Sequence, residues 1–256
     1  MCLILFAYDY HPQYKLVIAQ NRDEFYSRPT VPAAFWPDNP SILAGRDQRQ
    51  GGTWMGLTSN GRFAALTNYR DPLHNHPNAP SRGHLVQQYL EADLAPERYL
   101  EILHSRDIEY NGFNLLAGTF DSLYYFSNRE KLIRQVDQGI HGLSNSLIDV
   151  PWPKVTRGIT ALTDCLQNYE VEPQQLFAVM ADKEQPDDHE LPQTGVSLAW
   201  ERLLAPTYVE SPDYGTKSTT ILLIDRDNYV QFWERSFNPF RTGTWNEVHY
   251  EFQVNF

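Results

Sequence analysis

The residue in this sequence best suited to nucleophilic chemistry is Cys2, one of two cysteines and the one directly behind the initiator methionine. A small second residue permits removal of Met1, which leaves the cysteine's own α-amino group beside its thiol. The reference pKa of an α-amino group, about 7.7–8.0, is close to that of a free thiol at about 8.5. Proton exchange between the two then costs little at neutral pH, and the amine can serve as general base for the nucleophile that carries it. By position alone, Cys2 equally suits a small apolar residue filling a buried strand. Cys165 makes a contrast: it lies between Leu162 and Leu166 at helical spacing, where packing is its role. The second candidate is the run Asn21-Arg22-Asp23-Glu24. If the first two strands pair, this run lies beside the start of the chain. Asp23 or Glu24 can then hold an N-terminal ammonium, and Arg22 can stabilise a thiolate. Without Cys2 nearby, the same four residues read as an ordinary charged loop.

These residues need elements to position them. Cys2–Tyr8 and Lys15–Gln20 are uninterrupted apolar runs of strand length, separated by turn-forming Asp9–Tyr14, and predict an antiparallel hairpin. Continuous rather than alternating hydrophobicity implies strands covered on both faces. Four prolines in Arg28–Pro40 predict an irregular passage, and short strands follow at Ile42–Ala44, Thr53–Thr58 and Arg62–Asn68. The period then changes. A helix capped by Ser81 carries Leu85, Val86, Tyr89 and Leu90, and a second covers Pro96–His104. Strands return at Phe113–Ala117, Leu123–Ser127 and Ile140–Ser144. Helices are expected at Pro153–Tyr169, Gln174–Ala181 and Val196–Leu204, and an exposed acidic loop at Lys183–Gln193. Strand-like runs at Ser218–Asp225, Tyr229–Arg235 and Val248–Val254 close the chain. Strands flanking a central helical block, with no linker or repeat, predict one α+β domain over residues 1–256 with mostly antiparallel sheets.

Composition narrows the function classes. The 256 residues carry 21 Lys+Arg against 32 Asp+Glu, a net charge of −11. That balance argues against nucleic acid as a main partner and against a polybasic membrane anchor. A hydrophobic content of 41% excludes a disordered acidic chain. Two cysteines exclude a disulfide framework. Cys2–Tyr8 is too short to span a bilayer and has no cationic residue before it, so neither a transmembrane segment nor a signal peptide is expected. The expected location is cytoplasmic. His74, His76 and His84 sit in a proline loop without a fixed carboxylate pair, which favours a surface loop over a metal site. Gly51-Gly52 lacks the Gly-Lys-Ser/Thr of a phosphate loop and suffices as a turn. No motif calls for a cofactor, and oligomeric state is left open.

MCLILFAY followed by AQNRDEF resembles the NRDE family, which includes the eukaryotic transport and Golgi organisation proteins. Four further segments fit that family: GGTWMGLTSNGRFAALTNYRDP at 51–72, NGFNLLAG at 111–118, GLSNSLIDVPWPKV at 142–155 and YGTKSTTILLID at 214–225. The resemblance implies a four-layer αββα sandwich of two mostly antiparallel sheets, similar to N-terminal nucleophile hydrolases. Within that group the spacing is similar to the bile salt hydrolase and penicillin V acylase branch, which uses a processed N-terminal cysteine to cleave amide bonds. The resemblance makes Cys2 the nucleophile and Asp23 the contact to amine and thiol, with Asn68 and Asn145 lining the oxyanion region. Such amide donors suit acyl transfer. Two positions depart from that branch. Gln20 stands where an Arg precedes the Asn-x-Asp element, and the late catalytic Arg has Lys217 as its nearest counterpart, which keeps charge without the fork of donors. Asn21, Arg22, Glu24 and Lys217 are further binding candidates, and Trp152, with Lys154, is placed beside Asn145 at a pocket mouth.

Two function classes follow. One is an N-terminal-cysteine hydrolase cleaving a non-peptide amide or related acyl bond through a Cys2 acyl-enzyme. The other is a non-catalytic binding or trafficking protein for a lipid, acyl-thioester or haem-like ligand, in which Cys2 is a ligand rather than a nucleophile. In both, the partner is a small molecule.

Overall fold

The run Cys2–Tyr8 is apolar throughout because it is buried on both sides. The computed structural model describes residues 2–106, 108–238, 241 and 243–254. In it this run is strand β1, with all seven residues buried. Successive side chains of a strand point to opposite faces. Leu3, Leu5 and Ala7 accordingly enter one apolar layer, and Ile4, Phe6 and Tyr8 enter another. β1 pairs antiparallel with β2 (Tyr14–Phe25), which sets Cys2 opposite Arg22.

Strands β3 (Thr30–Trp36), β4 (Asn39–Asp47), β5 (Met55–Thr58), β6 (Arg62–Asn68), β7 (Phe113–Thr119), β8 (Leu123–Ser127) and β9 (Leu132–Gln135) form one sheet in chain order. The second sheet runs β10-β1-β2-β11-β12-β13, with β10 at Gly139–Leu143, β11 at Tyr214–Asp225, β12 at Tyr229–Phe237 and β13 at Trp245–Gln253. All pairings are antiparallel. Ile4, Phe6 and Ile18 meet Leu57, Phe63 and Leu116 between the sheets. Helices α1 (Gly83–Glu91) and α2 (Pro96–Ser105) cover the outer face of the first sheet through Leu85, Tyr89 and Leu100. Helices α3 (Pro153–Cys165) and α4 (Pro173–Met180) cover the second through Val155, Leu162, Phe177 and Met180, with Cys165 packed in the same layer. A short α5 (Leu198–Leu203) follows, capped by Ser197. The result is an αββα sandwich.

Several local expectations are corrected. The Arg28–Pro40 passage is not irregular: it holds β3 and the start of β4. Pro32 is accommodated because β3 is an edge strand whose register shifts between Val31 and Ala34, where a missing N–H costs no ladder bond. Strand β2 does not stop at Gln20 but continues through Asn21-Arg22-Asp23-Glu24. The Asn21 side chain is tolerated there because it is paired internally. Asn21 Nδ2 donates to the Met180 and Thr207 carbonyls at 2.8 and 2.9 Å, and Thr219 Oγ1 donates to Asn21 Oδ1 at 2.6 Å. β9 lies at the other edge of the first sheet with Leu132 exposed, so it carries no buried alternation to read. Helix α1 begins at Gly83 without a side-chain cap, in place of the expected Ser81 cap, and α3 ends at Cys165 rather than Tyr169.

Candidate active site

At one end of the sandwich, the start of β1, the second half of β2, the end of β6 and the start of α1 surround a polar cleft of 220 Å³. Cys2 lines it with Arg22, Asp23, Glu24 and Asn68, and so do Arg28, Asp47, Trp54 and Arg82. Cys2 is 7% exposed and is not in a disulfide. Burial pushes its thiol above the ordinary range and Asp23 adds to this, while Arg22 acts in the opposite direction. The thiol is therefore protonated at neutral pH and needs a base before it can attack.

Arg22 projects from the strand position facing Cys2, and its guanidinium lies 4.2 Å over the Trp54 ring. The next residue, Asp23, points to the opposite face of the sheet. Thr216 Oγ1 donates to Asp23 Oδ1 at 2.7 Å, and the Tyr214 hydroxyl donates to the Asp23 carbonyl at 3.1 Å. Burial raises the Asp23 carboxyl, partly offset by Lys154 and the Thr216 hydrogen bond. Lys154 is fully buried, donates from Nζ to the Leu204 carbonyl at 2.9 Å, and has its pKa lowered to about 8, chiefly by burial. Beside it, Arg70 Nη1 and Glu201 Oε2 form an ion pair at 2.5 Å, with both side chains at most 5% exposed. The wall behind Cys2 and Asp23 thus holds a buried ion pair, Arg70–Glu201, and a buried lysine bonded to a backbone carbonyl.

The asparagines are coupled. Asn145 Nδ2 donates to the Asn68 carbonyl at 2.9 Å, and the Arg70 amide donates to the Asn145 carbonyl at 2.8 Å. Asn145 is fully buried behind Asn68, and its Oδ1 has no protein hydrogen-bond partner. Asn68 itself lines the cleft.

The structure gathers Cys2, Arg22, Asp23, Glu24 and Asn68 around one cleft and sets Asn145 directly behind. Asn21, Lys217 and Trp152 do not line it. Asn21 braces β2 against α4, and Lys217 Nζ donates to the carbonyls of Tyr26 and Arg28. Trp152 precedes α3, with Arg70 stacked 4.8 Å over its ring. Sequence reasoning missed Arg28, Asp47, Trp54 and Arg82, whose convergence depends on strand order rather than spacing. Trp54 and Asn68 share one matched segment, which was the available clue. His74 pairs with Asp71 and His84 with the Gln50 carbonyl. Among the described residues no group of three or more His, Cys, Asp or Glu is placed to hold a metal ion.

Two solved structures share this architecture. The Caenorhabditis elegans N-acylethanolamine-hydrolyzing acid amidase ortholog superposes with a TM-score of 0.51 at 10% identity, covering 87% of this chain and 92% of that one. A C2A mutant of the conjugated bile acid hydrolase from Clostridium perfringens gives 0.56 at 8% identity, covering 100% and 97%. The sandwich, in which a cysteine begins one of the interior strands, thus has the fold of the N-terminal nucleophile hydrolases. Within it the chain belongs to the Transport and Golgi organisation 2 family, whose sequence profile matches residues 1–239. The Transport and Golgi organization protein 2 homologs of Bos taurus and Homo sapiens are each 35% identical to it, over 99% of both chains. The Drosophila melanogaster Transport and Golgi organization protein 2 is 29% identical over 98% of both.

Proposed function

We propose that this chain is an N-terminal-cysteine hydrolase that cleaves a non-peptide amide or related acyl bond of a small molecule. The observation that carries the reading is the placement of Cys2, at the start of a fully buried interior strand, on a cleft that also holds Asn68 and Arg22. A catalytic thiol on a rigid strand beside an amide donor is what acyl transfer requires. The amidase and hydrolase that share the fold support the reading by analogy of architecture.

In the proposed reaction, removal of Met1 frees the Cys2 α-amine, and Asp23 anchors it from the neighbouring strand. The neutral amine takes the thiol proton as Sγ bonds to the substrate carbonyl carbon. The Asn68 side-chain amide donates to the oxyanion, with Asn145 positioning it. Collapse breaks the C–N bond, and the α-ammonium returns its proton to the departing amine. Water, deprotonated by the same α-amine, then attacks the thioester, releasing the carboxylic acid and restoring the thiol. Because the base must be neutral, kcat/KM should rise with pH through the amine's pKa, at about 8.

The test is a panel of N-acyl amides assayed with Met1-processed protein and with Cys2→Ala. Loss of turnover by at least about a thousandfold, with an unchanged thermal melt, is the expected result. A folded Cys2→Ala protein with full turnover would end the proposal.

A further inference from the structure

The cleft beside Cys2 holds a guanidinium that no carboxylate among the described residues contacts, with Glu24 and Asp47 acting on it only at longer range. Arg22 is 5% exposed, and its Nη1 is buried without a protein hydrogen-bond partner. Among the described residues no carboxylate pairs with it. Asp47 is committed to Arg28, accepting from Nε and Nη2 at 2.8 and 2.5 Å, and Glu24 lies 3.8 Å from the same guanidinium. Asp23 turns to Thr216 on the far face. Glu234, the carboxyl on the inter-sheet side, accepts from the Ala33 amide at 2.8 Å, and burial pushes its pKa up to about 7. A guanidinium stays protonated in proteins, so burying it unpaired is costly unless a ligand supplies the counter-charge.

The guanidinium is also held in a fixed plane. It stacks on Trp54, whose ring lies so close to Gly45 that a Cβ there would come within 2.5 Å of it. Opposite, Ser81, Arg82 and Gly83 bring the start of α1 to the cleft. That helix has no side-chain cap and no acidic residue in its first turn, which leaves its positive end available to an anion. Arg82 adds a second guanidinium, with Nη1 donating to the Gly112 carbonyl at 2.7 Å.

We propose that this end of the cleft is a carboxylate-binding subsite, so that the ligand of the Cys2 site is a small acyl compound with a free carboxylate. A planar, stacked guanidinium matches the two oxygens of a carboxylate, and a 220 Å³ space admits a compact group. Cross-strand neighbours sit roughly 5 Å apart at Cβ, so the carboxylate lies a few bonds from the carbonyl that faces Cys2. Either an N-acyl amino acid, with its carboxylate on the amine side, or the monoamide of a dicarboxylic acid, with its carboxylate on the acyl side, satisfies this. The proposal rests on the hydrolase reading for the role of Cys2, but binding can be measured without turnover.

The experiment is titration calorimetry on the folded Cys2→Ala chain with N-acetylglycine, succinamate, N-acetylglycinamide as the neutral control, and inorganic phosphate. At least one carboxylate should bind about tenfold or more tightly than the neutral amide and more tightly than phosphate. The tighter of the two carboxylates identifies the side that carries the acid. Arg22→Met should abolish the preference, and Arg22→Lys should restore only part of it. Equal binding of charged and neutral compounds would overturn the proposal, as would tighter binding of phosphate. The comparison among ligands needs no Arg22 variant, so it stands even if that substitution unfolds the protein. Failure here with a hydrolytically active wild type would leave the hydrolase reading intact.

Discussion

The thiol of Cys2 sits in a place that raises its pKa, so its reactivity depends on neighbours rather than on intrinsic acidity. Asn68 is the neighbour whose side chain is assigned to the developing oxyanion. Asn68→Ala should lower kcat by about a hundredfold or more while leaving KM little changed, the signature of an interaction made in the transition state. Steady-state kinetics on the best substrate of the amide panel read this directly. At this scale the sequence was informative where residue type and position coincide. Cys2 stands out by following Met1, and Asp23 and Asn68 by their matched segments. It was uninformative about Arg28, Asp47, Trp54 and Arg82, because nothing in the spacing of four separate segments says that they share a wall. Lys217 and Trp152 looked eligible by the same local criteria, yet both turn away to other partners.

Elements hold these residues in place, and two of their junctions are sensitive. Gly52 lies against the start of α1, where an added Cβ would come within 2.5 Å of the Gly83 backbone carbon. Backbone cannot rotate away, so Gly52→Ala should destabilise by about 1–3 kcal/mol and also weaken ligand binding at the cleft. A thermal melt together with the calorimetric titration checks both effects. The second junction is the buried Arg70–Glu201 pair, which joins the loop after β6 to α5. Arg70→Met leaves a buried carboxylate that also accepts from Thr194, and should cost about 3–5 kcal/mol by chemical denaturation. Elements with strong apolar patterning, such as β1, α1 and α3, were legible from sequence because burial imposes their period. The end of β2 was not, since Asn21 and Asp23 find their partners far along the chain. Edge strands β3 and β9 were hidden by proline and by exposure.

Across the whole molecule, the two sheets are tied near the cleft by Glu234 of β12, which accepts from Ala33 of β3. Burial raises this carboxyl to about 7 from the usual 4.5. A raised acid contributes stability that is fully present below the unfolded value and is lost as pH rises through the folded one. Glu234 should therefore make wild-type stability fall between about pH 4.5 and 7, by an amount on the order of 3 kcal/mol. Glu234→Gln should flatten that fall and melt above wild type at pH 8, as pH-dependent calorimetry would show. Lys154, lowered to about 8, works in the opposite sense at higher pH, where deprotonation relieves a buried charge. Within a chain of net charge −11, the cleft still holds a buried guanidinium that no carboxylate among the described residues contacts. Processed Cys2 should form an acyl-enzyme, which intact-mass spectrometry of protein mixed with an activated acyl ester detects. The expected result is a chain lacking Met1 that gains one acyl group, mapped to Cys2 and lost again as hydrolysis proceeds. A chain that retains Met1 and acquires no more label than Cys2→Ala would contradict it.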